Sequence, residues 1–278
     1  MKKILALTLA LLLVVTALVA CSNNTSTDDD GIDAVETNQK TYTVQNGDYT
    51  DTYYYDVVNG DEVVIIGFAS SHEPHAISVP TGPEIINASK QEGEELIVDK
   101  YKLTAIADAA FKNKTNITAV TLPDTVNRIG AFAFAECTSL ASINIPDGVT
   151  LIGEAAFTNT ALTTVTLPDS ILANGLGKMA FYGSKQLTTV TLPTNLETIK
   201  EQTFMNCIAL TTVNAGEALK TIEAHAFTSC ALLNSFTIPA SVTTIGNYAF
   251  AECAAFTKPA LADTVTVGTN AFYGAIGG

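Results

Sequence analysis

Nucleophiles, metal ligands and acid–base groups are scarce in this chain, so their spacing decides what chemistry they could do. Five cysteines and three histidines carry the question. Cys137, Cys207, Cys230 and Cys253 each stand three residues after a phenylalanine, and the last three recur every 23 residues. Such a period stacks them in a column, where neighbours could come within disulfide range. Equivalent positions hold Lys114, Thr160, Ser184 and Ala275, an exchange that favours small, buried, unbridged thiols. Positions one coil apart along a line do not converge tetrahedrally, so these cysteines predict no zinc site.

The histidines offer little more. His72-Glu73-Pro74-His75 sets two imidazoles beside a carboxylate, but the order is not His-Glu-x-x-His, and Pro74 opposes the helix that motif requires. The segment reads as an exposed loop. His225 stands alone between Ala224 and Ala226. No glycine-rich loop leads into a helix, and no Ser or Cys occupies a nucleophile motif. The residues predict a protein that is not an enzyme and needs no cofactor or metal.

The elements that position these side chains form a repeat. Ala-Phe recurs at Phe111, Phe134, Phe157, Phe181, Phe227, Phe250 and Phe272, with Thr203-Phe204 as the variant, at spacings of 23, 23, 24, 23, 23, 23 and 22. Eight copies of so regular a period predict a solenoid, in which each short unit buries its apolar side only against its neighbours. A coil opens with Leu-x-x-Val-x-Leu-Pro, as in Leu187 to Pro193. Alternation sends Val190 and Leu192 inward and Thr189 and Thr191 outward, and Pro193 ends the strand by lacking an N–H. Asp147-Gly148 or Asp124-Thr125 suits the turn that follows. A second apolar pair comes next (Val126 and Ile129, Val149 and Ile152), then Gly130 or Gly153, which a tight bend would favour. The stretch Leu172 to Met179 carries the single extra residue, and the pattern decays at Pro259, near the end.

Outward strand positions are Ala119 and Thr121, Ser142 and Asn144, Thr164 and Thr166, Thr189 and Thr191, Thr212 and Asn214, Ser235 and Thr237. From Ser142 onward they constitute the candidate binding face. It offers hydroxyls and amides, with no charge and no aromatic ring. Thr also simply suits exposed strands. Hot spots favour Trp, Tyr and Arg, so a broad, weak contact is expected there rather than tight capture of a small molecule.

Charge narrows the partners. The formal net charge is −14. Residues 1–20 resemble a signal peptide: Lys2-Lys3, an apolar run from Ile4 to Ala17, then Leu18-Val19-Ala20-Cys21. Removing that leader leaves 12 basic and 28 acidic residues, a charge of −16. That balance opposes phosphate backbones and anionic lipid surfaces, so no nucleic-acid partner is expected. The leader's end is similar to the lipobox of bacterial lipoproteins, which implies lipidation of Cys21 and a membrane tether. Residues 21–40, polar and acidic, read as a flexible lipid-proximal linker. Residues 41–102 read as a β-rich N-terminal cap with a degenerate first repeat at Ile77 to Pro80, and Asn59-Gly60 as a hairpin turn. Residues 103–278 form the solenoid.

The unit Ile-Gly-x-x-Ala-Phe-x-x-Cys-x-x-Leu-x-x-Val-x-Ile-Pro, clearest in Ile245 to Cys253 and Leu233 to Pro239, resembles the BspA-type leucine-rich repeat of bacterial surface proteins. The resemblance covers roughly residues 60–278. It implies an α/β-type repeat solenoid, strand-dominated, of about eight coils of 22–24 residues. It also implies an extracytoplasmic, membrane-anchored lipoprotein at the bacterial surface that binds a protein or glycan of host matrix or neighbouring cells. The alternative is a structural envelope spacer without an external ligand. Asn214-Ala215-Gly216 departs from the pattern by lacking the strand-ending proline.

Overall fold

Proline after most Leu-x-x-Val-x-Leu segments permits only very short strands, and short strands are stable only when stacked. In the computed structural model, which describes residues 40–46, 49–58, 62–70, 75–81 and 102–278, every regular element is a strand. The first described residues form an antiparallel meander, β1 (Lys40–Asn46), β2 (Tyr49–Val58) and β3 (Glu62–Ser70). Residues Asn59-Gly60, and all of residues 1–39, lie outside the described residues.

Two parallel ladders follow. One joins β4 (His75–Ser78) to β6 (Ile117–Thr121) and β8 (Ser142–Ile143). It resumes as β10 (Thr164–Thr166), β11 (Thr189–Thr191) and β13 (Thr212–Asn214), with a bridge to Ser235. The other runs from β3 through β5 (Lys102–Ile106) and β7 (Arg128–Ile129) to β9 (Leu151–Ile152), with a bridge from Ile152 to Leu176. It continues as β12 (Thr198–Ile199), β14 (Thr221–Ile222), β15 (Thr244–Ile245) and β16 (Thr266–Val267). The second apolar pair of each coil is therefore itself a strand.

The Ala-Phe segment closes the coil as an arc. In all eight arcs the residues two before and two after the phenylalanine take a positive φ, from Ala109 and Asn113 to Asn270 and Gly274. This left-handed pair alternates the amide directions. Phe111, Phe134 and Phe157 donate N–H to Ala133, Ala156 and Ala180 of the next coil, each at 2.8 Å, whereas Lys112 N–H closes a local turn on Ala109. The arcs thus make a third hydrogen-bonded side without forming a sheet.

Inside, the phenylalanines form one column. Ring centroids from Phe111 to Phe272 are 4.9–5.6 Å apart along the column, and the rings are nearly parallel. Phe68 of β3 packs on Phe111 at 5.2 Å and Tyr53 of β2 packs on Phe68 at 5.1 Å, so the meander covers that end of the column. Phe111 to Phe250 of the repeat are fully buried, each contributing on the order of 1.5–3 kcal/mol by burial.

Three sequence readings change. First, the extra residue in Leu172 to Met179 is really two extra residues, offset by one missing after Phe157. Phe157 precedes Leu162 by five residues where Phe181 precedes Leu187 by six, so Thr164 pairs with Thr189 across a step of 25. The first ladder is interrupted at this defect, between β8 and β10. Second, Gly130, Gly153 and Gly246 are not at positive φ. They let successive coils touch: a Cβ on Gly153 would lie 2.4 Å from the Ala131 nitrogen. Third, the cysteines do more than fill space. The thiols of Cys137, Cys207, Cys230 and Cys253 donate to the carbonyls of Phe111, Phe181, Phe204 and Phe227, one coil back, at 3.0–3.1 Å. Ser184 makes the same bond to Phe157 at 2.9 Å. Exchange of Cys with Ser follows from that shared donor.

Candidate functional site

Register places the predicted outward residues in rows. Thr164, Thr189, Thr212 and Ser235 align along the ladder, and Thr166, Thr191 and Asn214 make the parallel row beside them. Val165, Val190 and Val213 between these rows are buried, so alternation turns both hydroxyl rows to solvent. Ser142, Asn144 and Thr237 are exposed too. The two blocks are separated by the ladder's interruption, so Ser142 is not hydrogen-bonded in register with Thr164.

Some of this face is already occupied by the fold. Asn144 uses its amide as a strand would: its Oδ1 accepts from Leu122 N–H at 2.6 Å and its Nδ2 donates to Leu122 C=O at 2.9 Å. Asn214 Nδ2 donates to Thr191 Oγ1 at 3.2 Å. Thr188 and Thr211 hydroxyls donate to the carbonyls of Thr163 and Thr188 at 2.9 and 3.0 Å. Thr212 Oγ1 lies 3.3 Å from Thr211 Oγ1, and the hydroxyls of the two rows are suited to hydrogen bonding while offering little apolar area.

The second ladder carries a threonine row that sequence reasoning missed, Thr198, Thr221, Thr244 and Thr266. Its two-residue strands are too short to display an alternation. Charges border it: Lys220 Nζ lies 2.6 Å from Glu197 Oε1, and Arg128 lies 3.6 Å from Asp108.

Aromatic groups occupy the third side. Phe132, Tyr248 and Tyr273 are exposed and Tyr182 is half-buried, all on arcs. His225, read as solitary, lies in an arc with its ring parallel to Tyr248 at 5.2 Å and 4°, and its Nδ1 is 3.2 Å from Thr228 Oγ1. The signal available in the sequence was position: both residues stand two before a repeat phenylalanine.

The remaining reactive groups are structural. Cys137, Cys207, Cys230 and Cys253 are free and buried. Burial pushes the thiols of Cys137, Cys207 and Cys253 up to about 12, and that of Cys230 well above its ordinary value. Thiolate chemistry at neutral pH is suppressed accordingly. His75 pairs through Nε2 with the buried Asp51 at 3.0 and 3.2 Å, tying β4 to β2; His72 and Glu73 lie outside the described residues. Burial, then the Asp51 charge, raise the Tyr53 phenol far above its usual range, and its hydroxyl donates to Ser78 C=O at 3.3 Å. Among the described residues no group of three or more His, Cys, Asp or Glu could hold a metal ion, and no helix is long and apolar enough to cross a membrane. Cys21 and the leader lie outside them.

Comparison with known proteins gives the architecture its place. Among solved structures, a leucine-rich repeat protein of T. pallidum is similar at 24% identity, with a TM-score of 0.60 over 74% of this chain and 88% of that one. One from Bacteroides ovatus is similar at 23% identity and a TM-score of 0.54, over 80% and 67%. One from Eubacterium ventriosum is similar at 27% identity and a TM-score of 0.53, over 62% and 53%. No curated protein matches the chain. The family model described as "BspA type Leucine rich repeat region" matches in six copies, at residues 104–175 and 172–276. Stacked coils, the phenylalanine column and that match agree: this chain belongs to the BspA-type leucine-rich-repeat family.

Proposed function

We propose that this protein is a binding module tethered to the bacterial cell surface, which presents its first-ladder face to a protein or glycan of host matrix or neighbouring cells. The observation that carries this reading is the solvent-facing row Thr164, Thr189, Thr212 and Ser235, uncharged in a chain of net charge −14. An uncharged lattice of fixed hydroxyls does not repel acidic surfaces, and solenoids commonly bind through such extended faces. Candidate contacts are Ser142, Asn144, Thr164, Thr166, Thr189, Thr191, Thr212, Asn214, Ser235 and Thr237, with Asn144 acting mainly as a structural member.

Residues 1–20 serve as the signal peptide, Cys21 takes the lipid, residues 21–40 form the linker, residues 41–102 the cap and residues 103–278 the displayed solenoid. The Cys21→Ala variant should leave the membrane fraction. Binding is tested by applying the protein to immobilised matrix proteins and to whole cells. Saturable binding is expected, and its loss in the double variant Thr189→Glu, Thr191→Glu with unchanged melting would locate it on this face. Full binding by that variant would move the contact elsewhere on the coil.

A further inference from the structure

Every exposed or half-buried aromatic ring among described residues 102–278 lies on the arcs and none on either ladder. We infer that the arcs of the last five coils form a second binding strip, whose ligand is a neutral, linear polysaccharide. The inference rests on the binding-module reading but places a contact on a different side of the coil.

Chemistry selects the ligand. Sugar rings offer C–H faces that pack against aromatic rings, and hydroxyls that pair with amides and carboxylates. The strip holds both kinds of group in fixed positions. Asn270 Nδ2 donates to Tyr248 Oη at 3.1 Å, and Asn206 Nδ2 donates to Tyr182 Oη at 3.3 Å. Ser229 Oγ donates to Glu252 Oε2 at 2.8 Å. His225 supports Tyr248 from the preceding coil through its parallel ring, while Tyr273 is 62% exposed. These contacts link adjacent coils, so the groups are oriented before any ligand arrives, which lowers the ordering cost of binding.

Charge and composition narrow the partner on this strip. Residues 178–184, 201–207, 224–230, 247–253 and 269–275 contain no Arg and no Trp, two of the three residue types that anchor protein hot spots. Glu201 and Glu252 on the strip, within a chain of net charge −14, repel anionic polymers. Gln202, His225, Tyr248 and Asn270 occupy the same arc position, two before the phenylalanine, in the last four coils, and a run of polar or aromatic groups about 4.8 Å apart suits a chain of repeating units better than a single sugar. The earlier ring Phe132 is excluded because Lys112 Nζ already sits 5.2 Å from its centroid.

Affinity electrophoresis of the full chain in native gels containing mannan, xylan or mixed-linkage β-glucan tests the inference, with alginate as the anionic control. At least one neutral polymer should retard the protein. Tyr248→Ala should weaken that retardation about tenfold, the upper range for one aromatic contact. Tyr248→Phe should retain it, and Thr189→Glu with Thr191→Glu should leave it unchanged. Asn270→Ala, which leaves the Tyr248 ring in place but removes an amide offered to sugar hydroxyls, should also weaken retardation and decides the matter if Tyr248→Ala melts early, full retardation then counting against the inference. Retardation by no neutral polymer, by alginate alone, or equally for wild type and Tyr248→Ala would overturn the inference. If cells still bind the protein while no gel retards it, the strip fails and the surface-module reading stands.

Discussion

Replacing Phe181 with Ala removes one plate from the middle of the ring column. Phe181 is fully buried and lies 5.4 Å from Phe157 and 5.6 Å from Phe204, nearly parallel to both. Neighbouring coils are pinned by backbone ladders and cannot collapse into the gap, so the full cost of a large-to-small core change applies, about 3–5 kcal/mol. At the column's end the outcome differs. Among the described residues Phe272 stacks on Phe250 at 5.3 Å and on Phe256 at 6.3 Å with no later repeat ring against it, and keeps 4% exposure. Phe272→Ala should therefore cost roughly half as much, because the site opens to water instead of leaving a closed void. For a unit of this size about 4 kcal/mol lowers the midpoint by roughly 8–16 °C. Urea titration of both variants at one temperature gives the comparison directly. Equal losses for the two, or a loss below about 1 kcal/mol for Phe181→Ala, would refute the continuous column.

Cys207→Ser should be nearly neutral, since Ser184 makes the equivalent bond, whereas Cys207→Ala should cost about 1 kcal/mol by removing one of the two donors to the Phe181 carbonyl, which keeps only the Ser184 N–H at 3.1 Å; chemical denaturation distinguishes them. Thiols raised above their ordinary value of 9.0 keep protons in the folded state that the unfolded chain releases, so their contribution is complete below pH 9 and declines above it. Stability should fall by about 1.4 kcal/mol per cysteine per pH unit from 9 toward 12. The variant with all four replaced by Ser should lose that slope. Asn144→Ala should cost about 1–3 kcal/mol and accelerate hydrogen exchange at the Leu122 amide, because both Leu122 backbone groups lose their partner.

The phenylalanine column and the first ladder were legible because each repeats a residue type at a fixed period: Phe in the arc, and Thr-Val-Thr before proline. The second ladder was not, because Arg128–Ile129 or Thr221–Ile222 is too short to show alternation, and only pairing between coils reveals it. Net spacing concealed the two length changes around Phe157, whose opposite signs nearly cancel in the distance to Phe181. Gly153 was read as serving a tight bend, whereas the constraint is space, and the crowding atoms belong to the preceding coil. The left-handed arc positions were invisible for a different reason. Ala109, Phe132 and Met179 are not residues that favour positive φ. Inter-coil hydrogen bonds impose that geometry, and no local propensity records it. The candidate face itself was readable from alternation, but not the use of Asn144 as a substitute strand, and the arc aromatics were overlooked because their spacing follows the arcs rather than the strands.

Amide hydrogen exchange, resolved residue by residue, tests the stacking most directly. The N–H groups of Phe134, Phe157, Phe204 and Phe227 each donate to the following coil at 2.8 Å, whereas the Phe272 N–H has no such acceptor among the described residues. The account predicts exchange at the four interior amides near the rate set by global unfolding, with Phe272 exchanging many-fold faster. Interior phenylalanine amides exchanging as fast as that of Phe272 would contradict it.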